Sequence, residues 1–334
     1  MRALAFAIVV TGCSSTAPAP AKPAAAAVAL PGGEAGIGFD DLRFAPGIGR
    51  VLAPAGGTGN LDLVDPRTRR VTAIGGFGTA DASGGHEHGT TSADEGEGLL
   101  FAIDRTKLAL VVVDARTLRV VGQAALASAP DYVRWVAPTR ELWVTEPDED
   151  RLEVFALDGT TPKHTAFVAV KGGPESLVID AGRRRAFTHL WDGATVAIDL
   201  PTRAIVASWP NGCTGSRGIA LDAARGQLFV GCAEGKAVVL AEDTGKQLGA
   251  ITVGAGVDVI DVNVALGHLY VPSAKTATLS IVAVHADGTL ALLGTVPTAP
   301  GAHCVTADDR GGAWVCDVEH GTLLAITDPY PASR

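Results

Sequence analysis

The chain has 334 residues, 47% of them hydrophobic, and a formal net charge of −9 at neutral pH. Its longest basic run is Arg183–Arg185, which is typical of a solvated hairpin turn, so the charge pattern argues against nucleic acid as a partner. Helical periodicity is scarce, and the apolar residues are largely Val, Leu, Ala and Ile. This composition predicts an all-β protein with ample apolar material for a core.

The N-terminal segment predicts export. Residues 1–12 carry one early arginine and a short apolar run, which is too short to span a bilayer and is typical of a signal peptide. Val10-Thr-Gly-Cys13 resembles a bacterial lipobox, and this resemblance implies cleavage before Cys13 and lipidation of its thiol. An ordinary signal peptide with an incidental cysteine is the alternative.

A membrane tether is expected to follow the signal peptide. Residues 13–26 combine the lipidated cysteine with a Pro/Ala-rich stretch, which is a semi-rigid spacer, and residues 27–334 are assigned to one folded domain. Several acyl chains on one residue would anchor the protein firmly to a membrane. The expected location is therefore the periplasmic side of the cell envelope, and Ser14 after the lipidated cysteine favours the outer membrane.

Short β-rich units then recur seven times, roughly every 40–45 residues, a period that indicates a propeller or array. Gly38-Phe-Asp40-Asp41 opens the first unit and His88-Gly89 opens the second. In the other five units, the residue that opens the first strand is in turn Asp131, Glu175, Arg217, Asp258 and His303.

Each unit contains the signals of four antiparallel strands. A β-branched run is followed by a polar turn and a second strand, as in Leu228-Phe-Val-Gly231. The third strand ends in an Asp-x-x-Thr turn, as in Asp65–Thr68, and a fourth strand follows. The seventh unit lacks a fourth strand after Ile326, and a strand near Ala27 to Leu30 is expected to complete it and close the ring.

The repeated second strands Leu142-Trp-Val-Thr145, Leu228-Phe-Val-Gly231 and Leu269-Tyr-Val-Pro272, with the Asp-x-x-Thr turns, resemble the seven-bladed YVTN-type (YncE-like) propellers over residues 27–328. The resemblance implies a single seven-bladed β-propeller of four-stranded antiparallel blades. It implies little about function, because propellers host unrelated activities.

Four cysteines remain after the lipidation site. Cys304 and Cys316 flank the first hairpin of the seventh unit, and Cys213 and Cys232 bracket that of the fifth. Three pairings are possible in principle, but the fifth and seventh blades are not neighbours. Disulfides within each blade, Cys213–Cys232 and Cys304–Cys316, are therefore predicted in the oxidising compartment outside the cytoplasm.

The first residues of the innermost strands converge at one mouth of a propeller's central channel. The candidate ligand-binding residues at this mouth are Asp40, Asp41, His88, Asp131, Glu175, Arg217, Asp258 and His303. Two interpretations remain open. The side chains form a solvated ion-pair network in which Arg217 lies between Glu175 and Asp258, or they bind a metal or polar ligand.

Histidines make a divalent transition metal the candidate cofactor. His86 and His88 are two residues apart in an extended stretch, which would place both rings on one side, and His303 is expected to approach from across the channel. Imidazole and carboxylate ligands suit zinc, copper, nickel or iron. A His-x-His pair in a glycine-rich loop is also common as a flexible surface element.

Two functions of different classes follow. The first is a membrane-anchored binding or scaffold lipoprotein, a monomer that presents the charged mouth to a small polar ligand or a protein partner. The second is a lactonase-type metal-dependent hydrolase in which Asp131, Glu175 and Asp258 hold the metal and His303 or His88 acts as base. The chain has no nucleophile elbow, P-loop or Rossmann glycine pattern, so no catalytic residue is assigned and the non-enzymatic function is favoured. Electron transfer with a quinone-type partner is a third hypothesis and rests on fold analogy alone.

Overall fold

The computed structural model of the protein describes residues 25–80 and 85–333. Residues 1–24, which include the expected signal peptide and Cys13, lie outside the described residues. The part of the chain that the structure describes contains no apolar helix of membrane-spanning length.

Seven four-stranded antiparallel sheets form the described chain, which confirms the predicted propeller. The strands of the first three blades are β2 Arg43–Ala45, β3 Arg50–Pro54, β4 Thr58–Val64 and β5 Val71–Thr79; β6 Thr90–Gly96, β7 Leu99–Asp104, β8 Ala109–Asp114 and β9 Arg119–Ala125; and β10 Val133–Val136, β11 Glu141–Glu146, β12 Arg151–Asp158 and β13 Thr161–Ala169. A short 3-10 turn, Pro147–Glu149, follows β11.

The remaining blades repeat this order. Their strands are β14 Val178–Asp180, β15 Arg185–Leu190, β16 Ala194–Asp199 and β17 Ile205–Pro210; β18 Ser216–Asp222, β19 Gln227–Cys232, β20 Lys236–Ala241 and β21 Gln247–Thr252; β22 Asp261–Asn263, β23 His268–Ser273, β24 Thr278–Val284 and β25 Leu290–Pro297; and β26 Val305–Ala307, β27 Gly312–Asp317 and β28 Thr322–Thr327.

An N-terminal strand closes the ring, as predicted. β1 Ala25–Ala29 pairs antiparallel with β28, with Val28 opposite Leu323, and supplies the fourth strand of the last blade. Each innermost strand packs against that of the next blade, and β26 packs against β2. Closure leaves the inner strands parallel around one channel, so their first residues all lie at the same end.

The predicted Asp-x-x-Thr turns end the third strands of several blades. Asp65 Oδ1 accepts hydrogen bonds from the backbone N–H groups of Arg67 and Thr68, and Asp114 Oδ1 accepts from Thr117 in the same way. These short side chains satisfy backbone donors that the sheet leaves open. The turns therefore space the fourth strands evenly along the outside of the ring.

Both predicted disulfides are present. Cys213 pairs with Cys232 across a Cα–Cα distance of 5.3 Å, and Cys304 pairs with Cys316 across 5.6 Å. Each joins the chain at the start of an inner strand to the end of the second strand of the same blade. They therefore fasten blades five and seven at the mouth end of the channel.

Candidate functional site

The mouth of the channel is built by backbone hydrogen bonds that hold the start of each inner strand against its neighbour. The N–H of Asp131 donates to the carbonyl of Thr145 at 2.9 Å, and that of Glu175 donates to the carbonyl of His189 at 2.9 Å. Asp131 and Glu175 thus occupy equivalent positions in blades three and four. This arrangement points their side chains towards the axis.

A cavity of about 260 Å³ lies at this mouth. Its lining residues are Asp40, His86, Arg105, Ala129, Asp131, Pro147, Asp148, Glu175, Trp191, Arg217 and Asp258. Five of the predicted mouth residues line it together: Asp40, Asp131, Glu175, Arg217 and Asp258. The cavity gathers side chains from blades one to six that are far apart in the chain.

Two further side chains of the cavity come from the loops that follow the second strands of their blades. Arg105 follows β7 and its N–H donates to the carbonyl of Gly89, while Trp191 follows β15 and its N–H donates to the carbonyl of Gly172. The residue that follows a second strand therefore reaches the mouth in each of these two blades. The residue directly after a second strand is therefore the position in the repeat that could have predicted Arg105 and Trp191 from the sequence.

Two guanidinium groups each pair with one mouth carboxylate. Arg105 Nη1 lies 3.3 Å from Asp131 Oδ1, and Arg217 Nη1 lies 3.4 Å from Glu175 Oε1. Trp191 also donates its indole N–H to Glu175. The predicted ion-pair network therefore exists in part, since the structure gives Arg217 an ion pair with Glu175 and records none with Asp258 among the described residues.

The indole of Trp191 packs against a glycine. Gly173 has φ +71°, and a Cβ at this position would lie 2.6 Å from the Trp191 ring, so a glycine lets the ring pack on the backbone. The Arg217 guanidinium lies 6.0 Å from the ring centroid. Trp191 therefore forms a wall of the cavity and donates its indole N–H to Glu175.

Asp40 is the most buried carboxyl residue of the cavity. It is 5% exposed, and its Oδ2 has no hydrogen-bond partner among the described residues. Burial, followed by repulsion from Asp131, Asp258 and Asp41, raises the pKa of Asp40 well above its usual range, and Arg105 opposes this shift.

The two carboxyl groups that pair with arginine also have raised pKa values. Burial and repulsion from Glu175 raise the pKa of Asp131 well above its usual range despite Arg105. Burial and repulsion from Asp258 also raise the pKa of Glu175, and Arg217 and Trp191 oppose that shift. The two guanidinium groups therefore do not neutralise the mouth.

Asp41 faces away from this cavity although it follows Asp40 directly. Its two carboxylate oxygens accept hydrogen bonds from Arg134 at 2.6 and 3.0 Å, and Ser92 donates a third at 2.6 Å. Asp41, Tyr132 and Arg134 line a second cavity of about 380 Å³. That cavity also contacts Phe44, in the middle of the first inner strand. Asp41 therefore belongs to a layer inside the channel that separates the two cavities.

The three histidines proposed as metal ligands occupy different positions. His86 lines the mouth cavity, and its ring centroid lies 6.2 Å from that of His303. His88 precedes β6, which starts at Thr90, and it does not line the cavity. The carbonyl oxygen of Thr91 in this strand accepts a hydrogen bond from the N–H of Asp41. His303 contacts backbone carbonyls through both ring nitrogens, Nδ1 to Gly301 at 2.7 Å and Nε2 to Phe39 at 3.0 Å.

These positions do not form a compact set of metal ligands. In residues 25–80 and 85–333, two groups of three ligand atoms lie within 4.8 Å of one another, and each includes a disulfide-bonded cysteine pair. The first contains His303 with Cys304 and Cys316, whose sulfurs are bonded to each other. The mouth therefore presents separated carboxyl groups rather than a preassembled ion site.

No family model matches the chain, and no curated protein matches it by sequence. Solved structures match its fold. A chain in the crystal structure of the mitotic checkpoint complex aligns with a TM-score of 0.71 and 12% identity over 99% of both chains.

Two further structures show the same relationship. A chain of Kuenenia stuttgartiensis hydrazine synthase aligns with a TM-score of 0.71 and 12% identity, covering 88% of this chain and 96% of that chain. The structure of U3-55K aligns with a TM-score of 0.73 and 12% identity, covering 93% and 100%. At this identity the likeness shows the propeller fold alone.

Proposed function

We propose that this protein is a lipid-anchored extracytoplasmic binding module whose channel mouth is the ligand site. The observation that supports the site is the convergence of charged side chains from six blades, and of Trp191, on one cavity of about 260 Å³. Concave sites with a few convergent polar groups are the usual locations of small ligands. The closed ring supplies the rigid frame that such a site needs.

The anchor and location are part of the same proposal. Cleavage before Cys13, lipidation of its thiol and a tether that ends before β1 would hold the propeller as a monomer on the periplasmic side of the envelope, at the outer membrane. The Leu-aromatic-Val repeats support membership of the YVTN-type propellers. The net charge of −9 supports a partner other than nucleic acid.

The anchor is tested by expressing the full chain beside Cys13→Ser in cells supplied with labelled palmitate. The wild-type protein is expected to incorporate the label and to partition into detergent, and Cys13→Ser is expected to do neither. Label on both proteins, or on neither, would contradict lipidation at Cys13.

The ligand site is tested with the detergent-solubilised full chain and a library of small polar compounds, using the shift in melting temperature. The matched variants are Arg105→Gln/Asp131→Asn, which removes one ion pair of the mouth at constant net charge, and Asp158→Asn on the outside of the same blade, where Asp158 is 72% exposed. A ligand should stabilise the wild type and Asp158→Asn but not the mouth variant. Equal stabilisation of all three proteins would contradict the mouth as the ligand site.

A metal-dependent hydrolase is the second candidate, since Asp131, Glu175 and Asp258 share the cavity with His86. Two features favour the binding function over it. Asp131 and Glu175 already pair with guanidinium groups, and both nitrogens of His303 contact carbonyl oxygens. Esterase and lactonase turnover with added zinc or calcium that is lost in Asp131→Asn would favour the hydrolase instead.

A further inference from the structure

Carboxyl groups outnumber guanidinium groups in the mouth cavity. Five carboxyl groups line it, those of Asp40, Asp131, Asp148, Glu175 and Asp258, against the two guanidinium groups of Arg105 and Arg217. A recess lined by one sign of charge raises the local concentration of ligands of opposite sign. The charge of the cavity therefore favours a cation.

The unpaired charge is confined to one part of the cavity. Asp131 and Glu175 have arginine partners, whereas Asp40 and Asp258 have no ion-pair partner among the described residues. Asp40 lines the cavity, and its Oδ2 atom is buried without a hydrogen-bond partner among the described residues. An unpaired buried carboxyl oxygen is costly, and a ligand that donates a hydrogen bond to it recovers that free energy.

The spacing of the carboxyl groups favours an organic cation over a single metal ion. A calcium ion gathers six to eight oxygens at about 2.3–2.6 Å, so its ligand atoms lie within about 5 Å of one another. Among the described residues that line the cavity, no three ligand atoms come within 4.8 Å of one another. A cation with two charged groups several ångströms apart can contact separated carboxylates without moving them.

From this charge, the unpartnered Oδ2 atom and this spacing, we propose that the mouth binds a small aliphatic diamine. One ammonium group contacts Asp40, and the second contacts Asp258. The inference rests on the proposed function, because it names the ligand class of the same site. A cavity of about 260 Å³ is below the range of drug-sized ligand pockets and suits a ligand of metabolite size.

The experiment is isothermal titration of the detergent-solubilised full chain with 1,4-diaminobutane, and with 1,4-butanediol as the uncharged analogue of the same length. We expect one diamine per chain and no heat from the diol. Asp40→Asn and Asp258→Asn should each weaken diamine binding about tenfold or more, because each removes a charge-assisted hydrogen bond. Asp158→Asn, which changes the net charge equally outside the cavity, should bind as the wild type does.

The controls separate this inference from the proposed function. If a compound from the library binds at the mouth and the diamine does not, the diamine inference fails and the binding function stands. If neither binds, both fail. Equal diamine affinity in Asp40→Asn, Asp258→Asn and Asp158→Asn would show nonspecific surface attraction and overturn the inference.

A metal ion is tested in the same titration with calcium and zinc chloride. One ion per chain, bound more tightly than the diamine and lost in both Asp40→Asn and Asp258→Asn, would overturn the diamine assignment. Melting curves of each variant confirm folding, and the half-buried Asp258→Asn serves as the decisive variant if Asp40→Asn does not fold.

Discussion

Asp40 and Asp41 are adjacent in the chain but occupy opposite electrostatic situations. Asp41 accepts two hydrogen bonds from Arg134 and one from Ser92, and Asp41 and Arg134 are both buried. Asp40 is also buried and has an oxygen without a partner among the described residues, and Asp131, Asp258 and Asp41 each raise its pKa by more than Arg105 lowers it. The paired carboxylate ties blades one and three together inside the channel, whereas the unpaired one is the group to which we assign the proposed cation.

Arg134→Met is the largest expected perturbation, because it removes the partner of Asp41 from the channel interior. Breaking a buried ion pair on one side costs about 3–5 kcal/mol, since the remaining carboxylate is left buried and uncompensated. Denaturant unfolding of the full chain in detergent measures this loss. The double variant Asp41→Leu/Arg134→Met should recover much of it. A loss below about 1 kcal/mol in Arg134→Met would show that the pair contributes little.

Loss of either disulfide by itself should have the next largest effect, at the mouth end. The bonds span 19 and 12 residues of sequence, and loops of this size are stabilised by about 3 kcal/mol each through the reduced entropy of the unfolded chain. Unfolding of Cys304→Ala/Cys316→Ala, with and without reductant, separates the two bonds. An unchanged free energy of unfolding on reduction would mean that the disulfides do not constrain the unfolded chain.

Asp62 tests whether an unpaired buried carboxyl is by itself a binding feature. It lies in β4 between Ala53 and Ala73, neither of its oxygens has a partner among the described residues, and burial raises its pKa to about 7. Val111, Val196 and Val238 occupy the equivalent position in three other blades. We interpret Asp62 as a cost to stability, in contrast to Asp40, which lines a cavity.

Asp62→Val should therefore stabilise the protein by about 1–3 kcal/mol above pH 7. Between about pH 4 and 7 the folded state keeps a proton that the unfolded state has released, so the wild-type free energy of unfolding falls as the pH rises. The advantage of the variant should shrink towards pH 4. An advantage that does not change with pH would contradict the raised pKa.

The smallest expected effect is the pH dependence of diamine binding at the mouth. The raised pKa values of Asp40, Asp131 and Glu175 mean that binding competes with protons, so affinity should rise as the pH rises from 5 to 7.5. The diamine stays charged throughout this range, and a gain of about tenfold over it corresponds to the release of about 0.4 proton on average. Titration in two buffers with different ionisation enthalpies counts the protons. Unchanged affinity would show that Asp40 is already ionised beside Asp41, Asp131, Asp258 and Arg105.

Much of the architecture could be predicted because it depends on local periodicity. The alternation within strands such as Leu228–Gly231, the Asp-x-x-Thr turns and the missing fourth strand after Ile326 all follow from patterns that repeat along the chain. The disulfide partners followed from the same repeat, since each pair brackets one hairpin. Five of the predicted mouth residues line one cavity for this reason.

The sequence by itself therefore determined the seven blades, the strand that closes them and the end of the channel where charge collects. Only the tertiary structure decided which charges are paired. Arg105 and Trp191 enter the mouth from loops of other strands, His303 contacts two carbonyl oxygens, and Asp40 differs from Asp41 by one step along an inner strand. Strand alternation assigns residues to a face, but their partners come from neighbouring blades, and that proximity exists only in the closed ring.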